Sequence, residues 1–600
     1  MLNTPVLVRS PKLSSIEPSG SFCSSIANGH IMLNKPVLVR SPKSSSIEPN
    51  RTHIIVSLPP PVTDTVASSQ FDKCDTPGRF VIIANFFSVC ADKKAKMWLF
   101  GVLIAFASIL ALVLLRKRFN YWRKNGVPST SPWTILGDLW PTFVKGRIVP
   151  FVYNDICKAF PNEKYVGFYD LLSPNLMVRD PELIGTIMVK DFAHFQDRMT
   201  VQKRTSRLDY HLITLCGEQW KSVRTKIVPT FSANKLKSMI PMMEYCAQIL
   251  DSHLREKALA GESFDAKETS ARFTLDVIGC CMFGLHFNSL DDPDSEYRNI
   301  GKIIIDPGIK GMILQVLRFT WPKLLEYFNI SELPTPLLPF FTKLLKQSEE
   351  FRKHESTKRN DMMQLFLDIR DQEEQNNVTD DSGISFNDNV ILSNIFLFYV
   401  AGFETTAATI SFCLYELALN PEVQSKLRQE VRTVLKANGG ELTYDTLKRL
   451  KYLDMVISET LRKYPPAPFI NRVCTEAYKL PGSSFTLEPG TRVTLVPYSI
   501  HHDEQFYPNP KKFDPERFTP ENIEARPPFT YLPFGDGPRM CIASRFAKIE
   551  MRLILTRLVS KYEFTPGPKT EIPIQLRSRI FQIIPKNGIH LQVKLLEENL

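Results

Sequence analysis

Between about residues 137 and 600, apolar positions recur every three or four residues over long stretches. This spacing predicts helices over 219–256, 266–284, 336–370, 386–419, 421–437 and 453–463. Shorter β-like stretches fall near 165–178, 469–497 and 574–597. The expected class is therefore mainly α with small β-sheets (α+β). Residues 371–385 are almost wholly polar and read as a surface connector. Upstream, residues 98–115 hold eighteen residues without a charge, just enough to span a bilayer core. Arg116, Lys117, Arg118, Arg123 and Lys124 follow directly. Lys93, Lys94 and Lys96 precede, offset by Asp92. The heavier basic side predicts that everything C-terminal stays cytosolic. A buried core helix is the competing reading, and a cleaved signal peptide fits poorly because no small-residue cleavage site follows.

The pattern divides the chain into four segments. Residues 1–96 are rich in Ser and Pro, show no amphipathic period and are expected to be disordered. Within them Met1–Pro18 repeats as Met32–Pro49, differing only at Thr4/Lys35 and Leu13/Ser44. Residues 97–118 form the expected anchor, and Met97 would be a natural start for an anchored protein. Residues 119–136 are a basic linker broken by Gly126, Pro128 and Pro132. Residues 137–600 form one large helix-rich domain.

Composition narrows the functional class. Hydrophobic residues at 43% and charged ones at 23% describe a globular chain with a large core. Of the net charge of +11, +5 lies in residues 1–96. No zinc-finger spacing or arginine-rich helix supports a nucleic-acid partner, and none is expected. Eleven scattered cysteines without a C-x-x-C pair point to a reducing, cytosol-facing compartment.

One of those cysteines has unusual surroundings. Cys541 ends the run Phe534-Gly535-Asp536-Gly537-Pro538-Arg539-Met540-Cys541, and apolar residues at helical spacing follow at Ile542, Phe546, Ile549 and Leu553. Glycines and proline permit a tight loop. A cysteine entering a helix sees the positive end of its dipole, which favours the thiolate. A lone thiolate beside an arginine suits the axial position of a haem iron. Taken alone, the cysteine reads more readily as a buried structural thiol.

The pattern Phe-x-x-Gly-x-Arg-x-Cys resembles the haem-binding signature of the cytochrome P450 family, except that Ala543 replaces the usual glycine two residues after the cysteine. The resemblance implies haem b with Cys541 as metal ligand and Phe534 and Arg539 among the cofactor-binding residues. Trp220-Lys221-Ser222-Val223-Arg224 resembles the family's Trp-x-x-x-Arg helix, so Trp220 and Arg224 are expected at the haem propionates. Arg472 matches a further propionate ligand. Arginine suits this work because its planar fork binds carboxylates bidentately. His211 is a weaker candidate assistant.

Ala401-Gly402-Phe403-Glu404-Thr405-Thr406 interrupts an apolar helix with glycine, acid and hydroxyls. Threonine can bond back to a carbonyl one turn earlier and loosen the helix. The segment resembles the family's oxygen-activating motif, which makes Thr405 and Glu404 the expected proton-delivering catalytic residues. In isolation it reads equally as a helix bend. Glu459-Thr460-Leu461-Arg462 and Pro515-Glu516-Arg517-Phe518 resemble two further motifs, implying a buried structural triad of Glu459, Arg462 and Arg517. Arg545, Lys548 and Arg552, with Lys221 and Lys226, form a basic stripe suited to an acidic redox partner.

The resemblance covers about residues 97–600 and looks closest to the insect detoxification branch. It implies a monooxygenase of the endoplasmic reticulum membrane, facing the cytosol. Electrons would come from NADPH-cytochrome P450 reductase, with O2, a small lipophilic substrate and membrane lipid as the other partners. Substrate contacts are expected around 196–215, 295–345, Leu397–Ala401, Ala467–Asn471 and 576–582. A dedicated hormone or lipid hydroxylase, and a non-catalytic haem or ligand-binding protein, are the rival readings.

Overall fold

The computed structural model of the chain describes residues 93–199, 204–306, 308–331, 333–354, 361–376, 382–579 and 582–597. The duplicated peptide within 1–96 lies outside them. The class is as expected, helix-rich with small sheets.

Helix α1 (Lys93–Phe119) ends on Arg116, Lys117 and Arg118. It leaves Trp98, Phe100, Ile104, Phe106 and Leu112 exposed along its length. Just beyond it Trp122 is fully buried, inside the stretch expected to be a linker. Its ring occupies the space a Cβ on Gly167 would need, 2.3 Å away.

The single helix expected over 219–256 is two. Helix α2 (Gly217–Ile227) passes into a 3-10 turn at Val228–Phe231, and α3 (Ala233–Leu259) starts after Ser232 turns extended. Pro229 lacks the N–H that would continue the first helix. Helix α4 (Ala266–Ile278) is capped by the Asp265 carboxylate, which accepts from the Lys267 and Glu268 amides. It ends in a π turn at Gly279–Phe283 that Gly284 closes at φ 69°. The run expected over 336–370 is also divided, into Leu337–Lys353 and Met362–Asn376. The second of these corrects the expected polar connector. Its first part, Asp371-Gln-Glu-Glu-Gln-Asn376, is helical, because Gln and Glu are strong helix formers whatever their polarity.

Helix α5 (Asp388–Leu419) is capped by Asn387 and threads the core, with most of its residues buried. It is long and apolar enough to cross a membrane, as is α1; burial inside the protein distinguishes it. Helices α6 (Lys451–Lys463) and α7 (Ser544–Lys561) pack around it together with α3 and α4.

Strands β1 (Tyr165–Asp170) and β2 (Ser173–Val178) form an antiparallel hairpin. They join β3 (Ile470–Val473) and β4 (Arg492–Leu495) in the order β1-β2-β4-β3. Strand β2 runs parallel to β4 with Leu176 opposite Val493, and β3 sets Arg472 opposite Val493 from the other side. A second apolar core, containing Trp122, lies against this sheet. A three-stranded sheet stitches the chain's end, His590–Leu595, between Tyr562–Pro566 and Ser263–Asp265, the strand leading into α4.

Candidate functional site

The loop from Phe534 to Ala543 is folded by its own sequence. Gly535 and Gly537 take φ of 70° and 69°. A Cβ on Gly537 would stand 2.0 Å from the Met188 carbonyl oxygen, so no larger residue fits without moving backbone. The Met540 amide donates to the Gly537 carbonyl at 3.0 Å and the Cys541 amide to the Phe534 carbonyl at 2.9 Å. These bonds fix Cys541 at the loop's end, three residues before α7 begins. Ala543 sits at φ −96°, a conformation alanine adopts freely, so the missing glycine introduces no backbone strain there.

Burial pushes the Cys541 thiol up. The Ala543 amide and the positive charges of Arg198 and Arg224 pull it back towards the thiolate. Desolvation prevails, so the thiol stands above its ordinary value, opposite to the thiolate expected from the cysteine's place at a helix start.

Around this loop stand four arginines. Arg539 and Arg472 are each 1% exposed, while Arg198 and Arg224 are half-buried. Arg539 donates to the Leu212 and Leu215 carbonyls at 2.9 and 2.8 Å. Its guanidinium lies 4.1 Å above the centre of the Trp220 ring. Arg224 donates to the Met540 carbonyl at 2.9 Å, and Arg198 to the Arg539 carbonyl at 2.8 Å. Arg472 donates only to the Asn471 carbonyl beside it, at 3.0 Å. The Nε–H groups of Arg198, Arg472 and Arg539 are buried without a hydrogen-bond acceptor.

Among the described residues a single carboxylate approaches this group: Asp197, 3.5 Å from Arg539. The electrostatic result is strain. Burial, then Arg198 and Arg539, push Arg472 well below the usual arginine range. Burial and the same kind of repulsion bring Arg539 down to about 9. Arg198 and Arg224 are lowered too, by burial first. Buried cations held together with so little negative charge require an anion to balance them. A planar group carrying two carboxylates meets that need, and haem with its propionates fits these residues.

Arg198 was not foreseen from sequence. A lone arginine in a loop has no pattern of its own to mark it. His211 does not add to the cluster's charge. Burial lowers it to about 4, and its Nδ1 accepts from the Ile213 amide at 3.3 Å.

On α5 the back-bond expected of threonine is present. Thr405 Oγ1 donates to the Ala401 carbonyl at 2.6 Å, and Thr409 repeats the pattern on the Thr405 carbonyl at 3.0 Å. Ala401 is exposed and Thr405 half-buried. Glu404 points elsewhere. It is 2% exposed and pairs with Lys267 of α4 at 2.8 Å, its other oxygen without a partner. Thr405 and Glu404 are therefore adjacent in sequence but turned to different surroundings. Helix α4 braces the segment further: Thr274 donates to the Phe403 carbonyl at 2.8 Å, and a Cβ on Gly402 would meet Ile278 at 2.4 Å.

The triad is assembled, with Glu459 and Arg462 buried and Arg517 half-buried. Glu459 and Arg462 are both fully buried, paired through two hydrogen bonds of 2.7 and 2.8 Å, and Arg517 lies 3.5 Å from Glu459. Arg462 also donates to the carbonyls of His501 and Pro510, and the Asp514 amide donates to Glu459. The basic stripe is only partly free. Arg552 pairs with Asp454 and Lys226 with Glu373, whereas Lys548 covers the Phe534 ring and Arg545 stays exposed.

Residues 128–592 match the family model described as Cytochrome P450. The chain is 36% identical over 503 residues to Cytochrome P450 6a2 of Drosophila melanogaster, covering 82% of this chain and 98% of that one. It is 35% identical over 503 residues to Cytochrome P450 6k1 of Blattella germanica, covering 82% and 96%. Cytochrome P450 6B7 of Helicoverpa armigera is 36% identical over 503 residues, covering 83% and 99%. The chain belongs to the cytochrome P450 family and is a haem-thiolate monooxygenase.

Proposed function

We propose that this chain is a membrane-anchored monooxygenase that inserts one oxygen atom of O2 into small lipophilic substrates, chiefly xenobiotics, and reduces the other to water. In this reading Cys541 would hold the iron of haem b through its sulfur. Phe534 and Trp220 flank the cofactor, and Arg198, Arg224, Arg472 and Arg539 take its propionates. Haem, when bound, supplies dioxygen activation and electron transfer. The protein's own residues hold it, keep the thiolate electron-rich and control water and protons. The observation that carries the reading is the group of four close arginines, two of them wholly buried, with one carboxylate among them.

Thr405 takes the proton-delivering role, its hydroxyl held to the Ala401 carbonyl on the more open side of α5. Glu404 serves at one remove, since it must leave Lys267 before it can exchange a proton with that side.

Four segments follow from the same reading: an extension over 1–96, an anchor over 97–118, a connector over 119–136 and the catalytic domain over 137–600. The exposed apolar length of α1 and its basic end support anchoring in the endoplasmic reticulum membrane with the domain in the cytosol. Electrons come from NADPH-cytochrome P450 reductase docking near Arg545 and Lys548. Foreign lipophilic compounds are the proposed substrates, in keeping with the resemblance to the insect detoxification branch.

Reconstitution of the full chain with that reductase in lipid, assayed against a panel of lipophilic compounds, tests the proposal. Turnover of several unrelated compounds supports it. Turnover of one steroid or lipid alone would assign a dedicated hydroxylase, and no NADPH-dependent turnover would reject the catalytic reading.

A further inference from the structure

Away from the arginines, two thiols on different elements touch. Cys246, in the middle of α3, is fully buried and donates to Cys280 at 3.8 Å between sulfurs. Cys280 lies in the π turn after α4, is 6% exposed, and its sulfur is 3.5 Å from Nδ1 of His286. His286 is exposed and packs edge-on against the half-exposed ring of Tyr245, so the imidazole links a nearly buried thiol to solvent. The neighbouring Cys281 faces the Met239 carbonyl instead. Among the described residues no three His, Cys, Asp or Glu side chains gather as a metal site, so metal binding does not account for the arrangement.

We propose that Cys246 and Cys280 form a peroxide-sensitive dithiol, with His286 as its base, that closes to a disulfide. Cys280 gives its proton to His286 and attacks one oxygen of hydrogen peroxide. The O–O bond breaks, and the departing hydroxide takes the proton back from His286 and leaves as water. The Cys246 sulfur then attacks the resulting sulfenic sulfur. The S–O bond breaks, and the second hydroxide leaves as water with the Cys246 proton. The dithiol loses two electrons and the peroxide gains two. The hydrogen bond to Cys280, and then burial, hold the Cys246 thiol well up, which suits it to be the resolving rather than the attacking partner.

The sulfurs must come from 3.8 Å to the roughly 2.05 Å of a disulfide, so the π turn is drawn towards α3. Cys280 is two residues beyond Ile278, whose side chain fills the space over Gly402, on the same helix that supplies Lys267 to Glu404. Closure would therefore shift the brace under the Gly402–Thr405 segment. This consequence rests on the catalytic role given to that segment; the disulfide itself does not.

The full chain in lipid is treated with hydrogen peroxide, alkylated and digested without reductant, and its peptides are weighed. The expected result is one cross-linked pair, Cys246 with Cys280, lost again on adding dithiothreitol. Cys246→Ser should leave a sulfenic acid at residue 280 that dimedone captures, and His286→Phe should slow oxidation at least several-fold. Full alkylation of both thiols after peroxide, or bridges formed only between other cysteines, would overturn the proposal; wild-type protein alone gives this answer if a variant fails to fold. The NADPH consumed per product should rise several-fold in the oxidised wild type and stay constant in Cys280→Ser. An unchanged ratio with the disulfide present would overturn the mechanical link and leave the dithiol standing.

Discussion

Arg472 has one hydrogen bond, to a carbonyl beside it, and two other arginines as its nearest charges. In the chain alone that position is costly; the two propionates of the proposed cofactor would make it favourable. Charge-assisted hydrogen bonds contribute about 1.5–3 kcal/mol each. Arg472→Met should therefore release haem about 10- to 100-fold faster, since each ~1.4 kcal/mol is a factor of ten. The haem-free chain should be no less stable than wild type. Haem transfer to apomyoglobin and thermal unfolding of the haem-free form measure the two halves, and a variant that lost stability without losing haem would contradict the assignment. Thr405→Ala tests the other side of the site: it should raise NADPH consumption per product several-fold while substrate binding persists, and unchanged coupling would remove Thr405 from the proton path. At this scale fixed spacing made the grouping of Trp220, Arg224 and Arg539 beside Cys541 legible in the sequence. Arg198 and Lys267 were not legible, because their roles come from contacts made 341 and 137 positions away, with Arg539 and Glu404.

Elements act through what they hold together. Helix α6 is joined to the 510–517 segment by Glu459 and Arg462, both removed from water. Glu459→Gln would leave the Arg462 charge buried without its counterion, at a cost of about 3–5 kcal/mol. Urea unfolding of the haem-bound protein measures this, and a change below about 1 kcal/mol would mean that the carbonyls of His501 and Pro510 suffice.

Helix α4 is tied to Glu296–Ile305 by Glu268, which accepts from Arg298 and Arg272. Burial pushes Glu268 up, but the hydrogen bonds and charge of Arg298 and Arg272 more than offset this and bring it to about 2. Its folded value lies below the ordinary 4.5, so its stabilisation is full above about pH 4.5 and fades as pH falls towards 2. Melting temperatures of wild type and Glu268→Gln should differ at neutral pH and converge as pH falls from 4.5 towards 2; a gap that persisted at pH 2 would assign the effect to shape instead of charge. Helix existence was readable from periodicity, but boundaries were not. Pro229 divided one expected helix, and the Asp371–Asn376 run continued another because its residues favour helix more strongly than their polarity favours a loop.

At the scale of the whole molecule, two helices among the described residues are apolar enough to span a bilayer, and only their surroundings separate them. Helix α5 spends its apolar surface on the core; α1 leaves it outward beside a cluster of basic residues. The basic clusters flanking 98–115 made that distinction readable in the sequence. The packing of Trp122 on Gly167 was not readable, because nothing local marks a tryptophan after a membrane segment as core. The molecule is otherwise arranged to bring the 534–543 loop and the arginines of three separate segments to one place. In the proposed function, Cys541 gives that place its chemistry. The reduced, carbon monoxide-bound absorption spectrum tests it most directly. Wild type should show the strongly red-shifted Soret band of thiolate ligation, and Cys541→His should retain haem with the shorter-wavelength band of an imidazole ligand. A thiolate-type band that survives in Cys541→His would contradict the account.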